Sequence, residues 1–149
     1  MSALLRPASL VAALLLAACT DASQQPTTAD DLAAARARWR AANIRSYAYV
    51  SRHDCFCPAE VVQPLRAVVD DGQVVEVATV SGGRAMSLEW RKTVEGLFAV
   101  VEEEQRRRPD QLFVRFDAER GYPVRIEYGV KDVSVDGGGR IEVLSFEVR

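Results

Sequence analysis

Histidine is almost absent from this chain: His53 stands alone among 149 residues. That excludes paired imidazoles as metal ligands and leaves little acid–base chemistry near neutral pH. Cysteine is scarce too, with Cys19, Cys55 and Cys57 only. Three are too few for a four-cysteine zinc site or a scaffold of several bridges. Neither charge dominates, since 19 Lys and Arg stand against 21 Asp and Glu for a net charge of −2. Nucleic acid, which favours a strongly basic face, is not expected as a partner. No apolar run reaches the roughly 20 residues of a membrane span. A glycine-rich phosphate loop, a G-x-S-x-G elbow and an H-x-x-x-H pair are missing as well. No internal repeat or second domain boundary is present. Hydrophobic residues make up 48%, enough to build one core over this length.

The first nineteen residues carry the clearest pattern. Arg6 is followed by the apolar run Leu10–Leu15 and then by Leu16-Ala17-Ala18-Cys19. A short apolar stretch behind a positive start and ahead of small residues has the layout of a secretory signal peptide. The alternatives are an exported chain with an unmodified Cys19, and an N-terminal membrane helix, for which the run is too short. The end of the segment resembles the lipobox of bacterial lipoproteins. The resemblance implies a diacylglycerol on the Cys19 thiol, cleavage before it and acylation of the new amine. It assigns 1–18 to the leader and makes membrane lipid a partner through Cys19. Thr20, where an aspartate would favour inner-membrane retention, implies the outer membrane facing the periplasm in a Gram-negative host. Residues 19–28 are polar and lack a periodic apolar face, as a flexible tether would be.

Residues 29–149 read as one α+β domain. Thr28 to Asp31 forms a capping box with Asp in place of Glu, and Leu32, Ala35, Trp39 and Ala42 recur at helical spacing until Asn43. The period then falls to two. Tyr47, Tyr49 and Ser51 alternate with Ala48, Val50 and Arg52, and 61–70 continues strand-like with Pro64 marking an edge or bulge. Asp70-Asp71-Gly72 is a turn, and 73–80 returns as its hairpin partner with Val75 and Val77 on one face. Val94, Leu97, Phe98 and Val101 set a second helix, near 92–108. Its end places Glu102, Glu103 and Glu104 four residues before Arg106, Arg107 and Arg108, the favourable order for ion pairs. Strands near 112–117, 124–128 and 141–148 follow, with a triple-glycine loop before the last. The expected architecture is an antiparallel sheet of about six strands with two helices on one face, in the order α-β-β-β-α-β-β-β.

His53-Asp54-Cys55-Phe56-Cys57-Pro58 is the one chemically suggestive stretch. Three arrangements compete for it. With Cys19 consumed by lipid in an oxidising compartment, Cys55 and Cys57 pair in a disulfide, the favoured arrangement. On a straight strand their Cα atoms stand about 6.5 Å apart, so a bond requires a bend. Alternatively, His53, Cys55 and Cys57 share one strand face and bind a soft metal, which needs further ligands from elsewhere. In the third arrangement the pair is redox-active, although no helix N-terminus is expected behind it to lower a thiol pKa. Ser51, His53 and Asp54 are strand neighbours, whereas a triad comes from separate elements. Asp117, Glu119 and Glu127 are read as solvated acids, and Tyr122 as a packing aromatic.

Across most of the mature part the chain resembles an uncharacterised family of exported bacterial proteins, many of them lipoproteins, defined as a domain of unknown function. The pieces that carry the likeness include Trp39, Ile44-Arg45-Ser46-Tyr47, Cys55-Phe56-Cys57-Pro58-Ala59-Glu60, Thr93 to Phe98 and Gly121-Tyr122-Pro123. The triple-glycine loop within 133–140 departs from it. The resemblance implies compartment and a single fold and carries no activity, cofactor or catalytic residue. The reading is a membrane-anchored, non-enzymatic accessory or binding module at the cell envelope, with an envelope protein or ligand as its partner. The alternative is an envelope thiol-redox or metal-handling protein using Cys55 and Cys57.

Overall fold

Thr28 starts the first helix because its side chain accepts the amide hydrogen of Asp31, while the Asp31 carboxylate accepts the Thr28 amide at 2.9 Å. In the computed structural model, which describes residues 25–129 and 138–149, this helix α1 spans Ala29–Ala42. The leader, Cys19 and, of the triple-glycine loop, Gly137 and the residues before it from 130 lie outside the described residues, while Gly139 begins the last strand. Asn43 closes α1 in the left-handed region, at φ 49°. There follow β1 (Tyr47–Asp54), α2 (Ala59–Val62), β2 (Leu65–Asp70), β3 (Gln73–Thr79), α3 (Val94–Arg107), β4 (Leu112–Phe116), β5 (Pro123–Tyr128) and β6 (Gly139–Val148). No helix among the described residues is long and apolar enough to cross a membrane.

The six strands form one open antiparallel sheet in the order β3-β2-β1-β6-β5-β4. Each half of the chain supplies a three-stranded meander, and pairing of β1 with β6 joins them at the centre. The register defines two ends. Asp54, Leu65, Thr79, Arg140, Tyr128 and Leu112 lie at one. Tyr47, Asp70, Gln73, Val148, Pro123 and Phe116 lie at the other.

One apolar cluster sits between sheet and helices. Tyr47, Tyr49, Leu65, Val69, Val77 and Ile126 meet Leu32 and Trp39 of α1 and Leu97, Phe98 and Val101 of α3. Trp39 meets Tyr47, Tyr122 and Phe146 edge-on at 5.6, 6.4 and 6.0 Å, and its indole N–H donates to Glu95. The opposite sheet face is charged. Glu127 holds Arg125 and Arg140 at 2.6 Å each, and Arg52 lies between Asp54 and Glu142. That face is not wholly in water, since Ala48 and Val68, a cross-strand pair on it, are each 3% exposed.

Several expectations are corrected. There are three α-helices, not two, in the order α-β-α-β-β-α-β-β-β. Residues 61 and 62 belong to the short helix α2, because Pro58 at its N-cap presets the turn and Pro64 holds Gln63 extended until the strand starts at Leu65. Val75 does not share a face with Val77. A bulge sets Val68 against Glu76 and Val69 against Val74, so Val75 is squeezed out and 53% exposed while Val77 is buried. The charge ladder of α3 forms only in part. Glu104 pairs with Arg108 at 2.8 Å in the expected spacing, but Glu103 meets Arg106 three residues on, and Glu102 crosses to Arg36 of α1. Packing of the two helices draws Glu102 away from its own helix.

Candidate functional site

β1 places His53 on the core side of the sheet and Asp54 on the charged side, and then stops. Past the strand end, the amide of Cys57 donates to the carbonyl of Cys55 at 2.8 Å. This i to i+2 turn draws the two Cα atoms to 5.2 Å, and the sulfurs are bonded. The required bend therefore comes from the main chain of the ring itself. Pro58 follows and accepts the Val61 amide to open α2. Both cysteines are half-buried, but the side chain they bracket is not: Phe56 is 87% exposed.

Arg91 anchors this end from beneath, and nothing in its sequence position announces it. It is 2% exposed. Its guanidinium donates to the carbonyl of Trp90 at 2.6 Å, of Ser51 at 3.1 Å, and of Val61 and Gln63 at 3.3 Å each. One side chain thus ties β1, α2 and the 3₁₀ turn at Leu88–Trp90 together. Its Nε is buried without a hydrogen-bond partner. Burial lowers the Arg91 pKa to about 10, which leaves it charged at neutral pH. Next to it, two tyrosines secure the start of α3: the Tyr47 hydroxyl accepts the Val94 amide at 2.7 Å, and the Tyr49 hydroxyl donates to the Lys92 carbonyl. Burial raises the pKa of both phenols, that of Tyr49 to about 12.

His53 responds to the same surroundings. Burial, then the charges of Arg91 and Lys92, push its pKa down to about 4, so the ring is neutral at pH 7. His53, Cys55 and Cys57 do not share one extended face, because the strand ends between them. With the sulfurs joined, no thiolate is available as a ligand. Among the described residues no group of three His, Cys, Asp or Glu is placed to hold a metal ion. A helix does begin behind the pair, contrary to expectation, but α2 is only four residues long.

The remaining candidates are dispersed. Asp54 faces away from Ser51 and His53 and lies 3.6 Å from both Arg52 and Arg140. Asp117 accepts the Arg120 amide at the far end of the sheet, and Glu119 is exposed beside it. Burial alone would raise the Glu127 carboxyl, but hydrogen bonds from Arg125 and Arg140 hold it below its usual range. Tyr122 is a packing residue, stacked on Phe146 at 4.4 Å. A groove of about 610 Å³ lies between α1 and α3, over Leu32 and Ala33, with Arg36, Arg40 and Arg106 on its rim. Arg36 and Arg106 are already paired with Glu102 and Glu103. Among the described residues at the strand-end loops, the covalently closed tip carrying Phe56 is the most exposed large apolar feature.

A family model, DUF6174, described as a family of unknown function, matches residues 31–148. No curated protein and no solved structure matches the chain.

Proposed function

Because the chain belongs to this family of unknown function, we propose its role from its own residues: a membrane-tethered, non-enzymatic accessory or binding module of the bacterial cell envelope, held by lipid on Cys19. The observation that carries this is Leu16-Ala17-Ala18-Cys19 followed by a polar stretch, ahead of Thr27, whose amide joins β4 at Leu112. Each buried CH₂ contributes about 0.8 kcal/mol, so several acyl chains on one cysteine hold a domain to a bilayer where one holds it only marginally. The bonded cysteines, the neutral His53 and the committed donors of Arg91 favour a binding module over a catalyst.

Cys19→Ala expressed in the host tests the anchoring. The variant accumulates as an uncleaved or soluble exported form; unchanged mass together with unchanged membrane fractionation contradicts the proposal. Crosslinking in intact cells then identifies the partner. The redox alternative draws on the partial exposure of both cysteines. It gains if a folded Cys55→Ser, Cys57→Ser double variant loses all partner capture.

A further inference from the structure

We propose that Phe56 is a second, weak membrane contact: the disulfide-closed tip is the membrane-proximal end of the domain, and its ring enters the interfacial layer of the bilayer that holds Cys19. This rests on the lipid anchoring proposed above.

The register of the sheet carries the argument. The chain joins the sheet at Thr27, whose amide donates to Leu112 and whose hydroxyl accepts from Val114. Leu112 pairs with Tyr128, Tyr128 with Gly139, and Arg140 with Asp54, the last residue of β1. Thr27 and the Cys55–Cys57 ring therefore leave the same end of the sheet. Three interstrand steps separate β4 from β1, about 15 Å. The residues from Cys19 to Thr27 span at most about 27 Å when extended. A tether that leaves the domain at this end and is this short keeps the same end turned toward the membrane.

The two ends differ in the side chains they present. At the ring end Phe56 is 87% exposed, and Val80, just past the end of β3, is 57% exposed. At the other end Val148 is 48% exposed but among the described residues no aromatic ring is displayed, and the turns are polar: Arg45 pairs with Asp71, Ser46 donates to Asp70, and Asp117 caps the turn before Gly121. Phenylalanine is among the apolar side chains that enter the boundary between headgroups and acyl chains. The disulfide and the i to i+2 turn hold Phe56 outward, so little ordering is lost when it enters lipid. One phenylalanine does not retain a soluble domain on a membrane; it acts here because the anchor makes its insertion intramolecular. Asp54 beside it is already paired with Arg52 and Arg140.

The test uses the full-length, lipidated chain with Phe56→Trp, reconstituted in phosphatidylcholine vesicles whose acyl chains are brominated near the headgroup. The wild type supplies the emission of Trp39 and Trp90. The added indole is expected to emit at shorter wavelength than in detergent-free water and to lose most of its fluorescence to the bromines. A chain that carries lipid on Cys19 and floats with the vesicles, but whose added indole is unquenched, overturns this inference and leaves the anchoring intact. A chain that lacks the lipid and does not float overturns both. A photoreactive residue at position 56 that captures a protein rather than lipid in intact cells also overturns it.

Discussion

Cys55-Phe56-Cys57-Pro58 and Gly121-Tyr122-Pro123 are the two most distinctive pieces of this sequence, and they occupy opposite ends of the sheet. The second is interior: Pro123 is fully buried, and Tyr122, 9% exposed, stacks on Phe146. Gly121 sits at φ 80°, where a Cβ would lie 2.1 Å from the carbonyl oxygen of Ala35 in α1. This corner lets helix and sheet approach. The first piece is the reverse, a closed ring that displays an apolar side chain to the outside. Packing accounts for the glycine–tyrosine–proline corner. It does not account for Phe56, so the reason for that residue is sought in what it touches beyond the chain.

Gly121→Ala gives the sharpest contrast. The new methyl meets helix backbone, which cannot swing aside, and the positive φ adds strain, so a loss of at least about 3 kcal/mol is expected in urea unfolding. A loss below about 1 kcal/mol would show that α1 does not depend on this approach.

Arg91→Met tests whether the ring end has its own support. It strands the carbonyls of Ser51, Val61 and Gln63 and is expected to cost about 3 kcal/mol, with Arg91→Lys recovering part of it. Amide exchange then rises first around 59–63 rather than at Gly121; uniform exchange throughout the sheet would remove the distinction between the two ends.

His53 adds a pH dependence. Its folded pKa, about 4, lies below the unfolded value of 6.5, so the unfolded chain binds more protons between these values. Stability is therefore full above pH 6.5 and falls as the pH drops toward 4, by about 2 kcal/mol at pH 5. In His53→Gln this part of the pH slope disappears; an unchanged slope would place its source elsewhere.

The smallest effects belong to the displayed tip. The ring closed by Cys55 and Cys57 is so short that replacing both by Ser is expected to cost about 1 kcal/mol, below the usual range for a disulfide. Phe56→Ser changes stability by no more than about 0.5 kcal/mol. A large loss from Phe56→Ser in the same urea series would make the tip part of the core. Thiol labelling without reductant checks the bond, since both cysteines stay unlabelled if it forms in the envelope.

Local signals in the sequence were enough where partners are near in the chain. Thr28, Asp31 and Asn43 bound α1, and Val94, Leu97, Phe98 and Val101 form the buried stripe of α3. Asp71 and Gly72 take φ 45° and 78° in the two-residue turn between β2 and β3. What stayed hidden depends on distant partners or on too short a period. Four residues of α2 cannot show a helical repeat. The bulge at Val75 is visible only when β3 is laid against β2. Arg91 bonds main-chain carbonyls, which carry no side-chain signature, and Glu102 finds Arg36 on another helix. At the candidate site the Cys55–Cys57 bond was expected, whereas the exposure of Phe56 and the placing of its ring at the same sheet end as Thr27, three strands away, emerge only from the fold.

The intact mass of the chain extracted from the membranes of its host tests the central claim most directly. The account predicts a polypeptide that begins at Cys19, heavier than its sequence by a diacylglycerol and an acyl chain, and lighter by two hydrogens for the bond between Cys55 and Cys57. A mature chain that begins elsewhere, or at an unmodified Cys19, contradicts it.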